Sequence, residues 1–282
     1  MVERSSARRL NTILLNLLVA LGGLLTAAPL VWMVSASFKP LYEIYQYPPT
    51  IIPENFLVDN YIRLSTDWSF WRWYGNSLFV AIMLTIAVLF FTSLAGFGFA
   101  KYQFKGSRTL FVFLLGSTMV PFQLILVPLF ILSSRLGWTN SYLSLIIPFM
   151  APALGIFLMR QFMLSIPSEL IEAARIDGAS EFSIYWRIIL PLTRPALAAQ
   201  AVLTFLGAWN SFIWPLAVLH SQEAMTLPVG MASMIGGVTA GSEPPVGASM
   251  AAATLVTIPV ILVFIALQKQ YIAGLTAGSV KQ

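Results

Sequence analysis

The chain has 282 residues and a net charge of +5, with 58% of residues hydrophobic, only 10% charged and a mean hydropathy of +0.81. Since a soluble domain normally carries about a quarter of its residues charged, the composition excludes that class. The lack of cysteine excludes disulfides and thiolate metal sites.

A hydrocarbon core about 30 Å thick calls for roughly 20 predominantly apolar residues per helix. Six uncharged stretches reach that length: 10–38, 73–100, 109–134, 136–159, 195–222 and 244–268. Backbone polar groups in lipid must be satisfied within the segment, so stretches of this length predict helices. Barrel strands would be about half as long and alternate in polarity. The expected fold is all-α: a polytopic membrane protein with six transmembrane helices forming a single domain over 1–282.

The first stretch is preceded by Arg4, Arg8 and Arg9 and contains Thr26-Ala27-Ala28, small residues of the kind found at a signal-peptide cleavage site. Pro29 follows at once, however, and the uncharged run continues to Phe38, too long for a signal-peptide core, so it reads as an uncleaved first helix. The next segment, 39–72, is rich in Pro, Tyr and Trp, residues that anchor spans at the membrane surface. A short basic turn with Gly106 joins the second and third stretches. Pro121 and Pro128 lie in the third stretch and Pro148 and Pro152 in the fourth. Each removes a backbone donor and predicts a kink.

Residues 160–194 form a charged island with eight charged residues, whereas 136–159 and 195–222 on either side have none. After Pro167, Ser168 is placed to cap a helix whose first turn holds Glu169 and Glu172. Ala173 and Ala174 favour helix, and Asp177-Gly178 supplies a stop. Ser180 then caps a second helix with Phe182, Tyr185, Trp186 and Ile189, expected to end before Pro191. Four acidic residues against Arg175 and Arg187 make the pair ill-suited to rest on an anionic leaflet, and a water-exposed loop of this length between two apolar spans reads as built to touch something outside the membrane. The uncharged segment 224–242, with its Gly, Ser, Thr and Met, reads as an outer loop or interfacial piece.

Basic residues orient the chain. With the N-terminus inside, twelve of the sixteen Lys and Arg fall on inner segments, leaving Lys39, Arg63, Arg72 and Arg135 outside. Both termini, the 160–194 loop and the 269–282 tail are then cytoplasmic. The positive charge is a topology signal and calls for no nucleic acid.

The series Glu172-Ala173-Ala174-Arg175-Ile176-Asp177-Gly178, followed by Ile188-Ile189-Leu190-Pro191, resembles the cytoplasmic loop of bacterial ABC-importer permeases. Three further segments are similar to the shorter, six-helix permease of the maltose-importer class. They are Met119 to Gln123, Ala208 to Pro215, and the tail from Gly274 to Lys281. The resemblance implies a multi-pass subunit of the bacterial inner membrane. It would pair with a second permease, two cytoplasmic ATP-binding subunits and an extracytoplasmic substrate-binding protein. It implies ATPase coupling through Glu172, Ala173, Ala174, Arg175, Asp177 and Gly178, with Thr276, Gly278 and Lys281 of the tail reaching the ATPases.

No catalytic constellation and no metal cluster is evident, and the single His220 has no ligand company. Without a phosphate-binding Gly-Lys-Ser/Thr loop the chain is not expected to be an enzyme, and it needs no cofactor, ATP being used by partner subunits. The absence of charge from the six stretches argues against a self-sufficient secondary carrier. Gln123, Asn210 and Ser211, which can bond hydroxyls, and Trp209 and Trp214, which can face sugar rings, are the candidate substrate pathway. Helix packing accounts for the same polar residues. The solute is expected to be a sugar or oligosaccharide, with a glycerol-phosphate-type polyol compound as the alternative.

Overall fold

A computed structural model describes the backbone of residues 3–237 and 244–277, and the side chains of 11–237 and 244–268. Among the described residues there is no strand. In chain order the helices are α1 (Glu3–Ala36), α2 (Leu41–Ile44), α3 (Asp59–Thr66), α4 (Phe70–Lys101), α5 (Ser107–Gly116), α6 (Phe122–Arg135), α7 (Leu143–Ile146) and α8 (Ala153–Leu164). They continue with α9 (Glu169–Ile176), α10 (Glu181–Ile184), α11 (Leu190–Leu192), α12 (Arg194–Trp209), α13 (Ile213–Val218), α14 (Leu227–Gly236) and α15 (Val246–Ala277).

Among the described residues, three helices are long and apolar enough to cross a membrane: Asn11–Ala36, Phe70–Lys101 and Val246–Gln268. The total rises to six if each of three bent pairs counts as one span. Within 109–134, 136–159 and 195–222 the helices are interrupted, the first two near prolines that predicted a kink. Ser107–Met119 meets Phe122–Arg135 at 101°, and Leu143–Phe149 meets Ala153–Leu164 at 44°. Pro121 and Pro152 stand at these two breaks, each with extended ψ just before a new helix, where a missing N–H costs nothing. The fifth stretch stops at Trp209 and resumes at Ile213. Segment 224–242 contains α14, ten residues long and too short to span. The last helix continues beyond 268 to Ala277.

The chain divides into two compact units, Met1–Phe70 with Met231–Ile258, and Trp71–Gly230 with Pro259–Gln282. The first is organised around a buried ion pair. Lys39 Nζ lies 3.8 Å from the Glu43 carboxylate, and both side chains are essentially inaccessible. Lys39 also donates to the carbonyl and hydroxyl of Thr50, and its ammonium lies 4.8 Å from the Trp32 ring centre. The backbone N–H groups of Glu54 and Asn55 donate to Glu43 at 2.9 and 3.2 Å. Burial works against the Glu43 charge, but those N–H groups, the Thr50 hydroxyl and Lys39 outweigh it and hold its pKa below the usual carboxylate value. The carboxylate thereby folds 40–55 into an ordered ledge with Tyr42, Tyr45, Tyr47, Ile51, Ile52 and Phe56 exposed. In the second unit α4 is the strut that meets α8 at Gly96, α12 at Thr92, and the 160–194 loop at Ser93 and Phe97.

Candidate functional site

The charged loop folds as two short helices over a hydrophobic cluster. On α9, Ile171 and Ala174 point inward onto Phe97, Met163, Ile184, Tyr185 and Ile189. The spacing of three residues puts both on one helical face. The opposite face exposes Glu172, Ala173, Ile176 and Asp177. Ile176 is 86% exposed, uncovered although large and apolar. The two alanines are thus divided: Ala174 closes on the chain's own core and Ala173 faces out.

Gly178 adopts φ +78° and ends α9. Its N–H donates to the Arg175 carbonyl at 3.0 Å, and that of Ala179 to the Ala174 carbonyl at 2.9 Å, the bond pair of a Schellman motif. Ser180 caps α10 by accepting from the Ser183 N–H at 3.3 Å. Ser168 does not cap α9, contrary to expectation. Its own backbone is already helical, so only its carbonyl serves the first turn, accepting from Ile171 and Glu172. Nor does the second helix stop before Pro191. Residues Tyr185–Ile189 widen into a π turn in which Leu190 N–H reaches the Tyr185 carbonyl, and the helix runs on through Pro191 to Leu192. Such a turn shifts the register ahead of a residue with no N–H to give.

A polar staple fixes the angle between the two loop helices. Arg175 Nε donates to Glu181 at 2.7 Å, and the Tyr102 hydroxyl donates to the same carboxylate. The Arg175 guanidinium and then the Tyr102 hydroxyl pull the Glu181 pKa below the carboxylate norm. Arg175 is therefore engaged within the chain, whereas Glu172 has no ion pair among the described residues. Lys101 Nζ, at the end of α4, donates to the Ile166 carbonyl and ties the loop's entry to the strut. Of the tail residues, Thr276 falls in the last turn of α15, and Gly278 and Lys281 lie outside the described residues.

Three interruptions, at 120–121, 150–152 and 210–212, converge on one cavity of about 680 Å³, while the 78° bend at Thr193 lies apart from it. Phe122 follows the first break, Phe149 and Pro152 flank the second, and Asn210, Ser211 and Phe212 are the third. Non-helical backbone at membrane depth is tolerated where it is buried in protein or lines a cavity. Its lining includes no charged side chain, and Thr204, Asn210, Ser211 and Thr226 are its polar members. Trp214 is buried in the wall, edge-on to Phe122 and Phe149 at ring separations of 6.2 and 6.1 Å, and donates to the Ser144 carbonyl at 2.9 Å. Asn140, at φ 56°, accepts from the N–H groups of His220 and Ser221, both at 3.0 Å, while its own N–H donates to the Val218 carbonyl. α13 is thereby clamped at both ends.

The cavity thus gathers Asn210, Ser211 and Trp214 of the five expected pathway residues. Gln123 is exposed on this chain, one residue past the lining Phe122. Trp209 is buried instead between Phe205, stacked at 5.9 Å, and Tyr74, edge-on at 5.4 Å. The aromatic wall of Phe122 and Phe149 and the Thr204 and Thr226 hydroxyls were missed by sequence reasoning. Only Pro121 and Pro152, as break markers, hinted at them.

Apolar helices interrupted around one cavity, with a stapled helical loop packed at the end of α4, define a multi-pass membrane transport subunit. Residues 92–276 match the family described as binding-protein-dependent transport system inner membrane component. The chain is 38% identical to the arabinooligosaccharides transport system permease protein of Halalkalibacterium halodurans, over 90% of each chain. It is 33% identical to the trehalose/maltose transport system permease protein of Thermococcus litoralis, over 95% of this chain and 98% of that one. The crystal structure of a bacterial ABC transporter involved in import of the acidic polysaccharide alginate superposes with a TM-score of 0.82 at 26% identity, covering 93% of this chain and 96% of the other. The protein belongs to the inner-membrane permease family of binding-protein-dependent ABC transport systems, as the loop motif implied.

Proposed function

We propose that this chain is one permease subunit of an ABC importer for a sugar or oligosaccharide, forming half of the translocation pathway and taking its drive from a cytoplasmic ATPase through the 160–194 loop. A second permease, two ATP-binding subunits and an extracytoplasmic binding protein complete the assembly, and both termini are cytoplasmic. The observation that carries the reading is the two-sided α9. One face is buried on a cluster continuous with α4, while the other presents Ala173, Ile176 and Glu172 uncovered. A helix so built moves with the bundle yet offers its free face to another protein. ATP-driven closure of the ATPase pair would shift the loop, and the difference in its contacts between open and closed pairs supplies the coupling free energy.

The cavity supports the substrate class. A wall of rings and hydroxyls without charge suits an uncharged saccharide better than a glycerol phosphodiester, whose anion would lose hydration without a cation to meet it. The test of docking is site-directed crosslinking in assembled complexes carrying Ala173→Cys. Capture of the ATP-hydrolysing subunit is expected from Ala173, and none from the inward-facing Ala174→Cys. Failure to capture that subunit from Ala173 in an active complex would reject the reading.

A further inference from the structure

One buried polar contact in the second unit is used neither by the loop nor by the cavity wall. The Gln200 side chain on α12 is 5% exposed, and its Nε2 donates to the Thr92 hydroxyl on α4 at 3.0 Å. Thr92 in turn donates to the Val88 carbonyl at 2.6 Å, so its single proton is committed. Gln200 Oε1 is buried with no hydrogen-bond partner. Turning the amide over would set Oε1 against the Thr92 oxygen, whose proton is already committed, so the present orientation is the one that pairs with Thr92. The third wall is Gly155 of α8, where a Cβ would come within 2.2 Å of Gln200 Nε2 and 3.0 Å of Thr92.

The place of this contact gives it meaning. Val88, Pro152 and Thr204 line the cavity, and Thr92, Gly155 and Gln200 each follow or precede one of them by about one helical turn. The contact is therefore the layer beneath the cavity on the side of the 160–194 loop. α12 joins these two regions: a bend of 78° at Thr193 connects it to the loop helices, and its other end is the break at Asn210. The loop side is pinned to the neighbouring residue of α4, Ser93, which shares a 2.7 Å hydrogen bond with the Tyr185 hydroxyl. A half-satisfied buried amide at a three-helix junction favours a second arrangement in which the leftover atom is paired.

We infer that Gln200 is a positioning residue, the pivot on which α12 turns against Thr92 and Gly155 to carry movement of the loop to the cavity. The inference rests on the proposed ATPase coupling and adds to it the residue through which coupling passes.

The chain has no native cysteine, so Ser211→Cys reports on the cavity by its rate of reaction with a membrane-impermeant maleimide, read as a mass shift of this chain alone. The assembled complex is compared without nucleotide and trapped with ATP and vanadate. The rate should change about fivefold or more on trapping in the parent, and Gln200→Leu should bring that ratio close to one while the ATPase subunits remain bound and trapped. Thr92→Val should behave like Gln200→Leu and Thr92→Ser like the parent, a pattern that loss of packing would not produce. Should Gln200→Leu fail to assemble, the Thr92 pair decides. An unaltered ratio in Gln200→Leu, or in Thr92→Val where only that variant assembles, overturns the pivot. Loss of the ATPase subunits from the parent complex itself would instead overturn the coupling reading.

Discussion

At Gly178 the backbone makes a demand that only glycine meets cheaply. Its φ of +78° completes the Schellman motif, and a Cβ built there meets nothing within 4 Å, so the cost of replacement is backbone strain and not collision. Gly178→Ala should lose about 1–2 kcal/mol locally, and the β-branched Gly178→Val more. Retention of the ATPase subunit on affinity-purified complex should drop in that order, and equal retention by all three would show that the turn has no part in docking. Glu43 makes a different demand. Its pKa lies below the ordinary value of 4.5, so its contribution to stability is present in full above that value. The contribution is lost as pH falls through the lowered folded value. Thermal melts of the purified protein should show this acid-limb loss, and Glu43→Gln should show a lower melting temperature with that part of the pH dependence gone. Residue identity alone did not foretell roles: Trp209 and Trp214 are the same type five positions apart, yet one stacks inside the bundle and the other forms the cavity wall. What separates them is the break at 210–212, which hydropathy does not register.

Among the elements, α13 is the clearest case of a short helix held by its surroundings, since six residues cannot sustain a helix alone. Trp214→Phe keeps most of the ring and gives up the bond to Ser144, for an expected loss of about 1 kcal/mol. Trp214→Ala also empties a packed site and should cost about 3–5 kcal/mol. Denaturation of the two variants in detergent would check this, and equal losses would mean the ring packing contributes nothing. Helix existence was legible from uncharged runs, as α4 and α15 illustrate, because length and apolarity alone determine them. The Asp177-Gly178 stop and the Ser180 cap were legible too, since each is a local hydrogen-bond requirement. Bend angles were not. Pro121 and Pro152 announce a missing donor, but 101° and 44° are set by the helices they pack between. The Thr92–Gln200 contact joins residues 108 apart in sequence, and no local pattern anticipates it.

For the whole molecule, the division of labour matters more than any one site. The bundle carries a cavity and an uncovered helical face on α9, and the sequence contains no phosphate-binding Gly-Lys-Ser/Thr loop with which to drive itself. Liposomes holding this chain alone should therefore show no saccharide uptake, and uptake should appear only with the second permease, the ATPases and the binding protein. Uptake by the isolated chain would instead identify a self-powered carrier. The Lys39–Glu43 pair bears on the conditions under which such a fold holds. Exposed pairs such as Arg63–Asp67 fade as ionic strength climbs, but charges enclosed by protein are shielded from counterions. The aromatic ledge folded over that pair should hold its shape in dilute and saline media alike, whatever it faces.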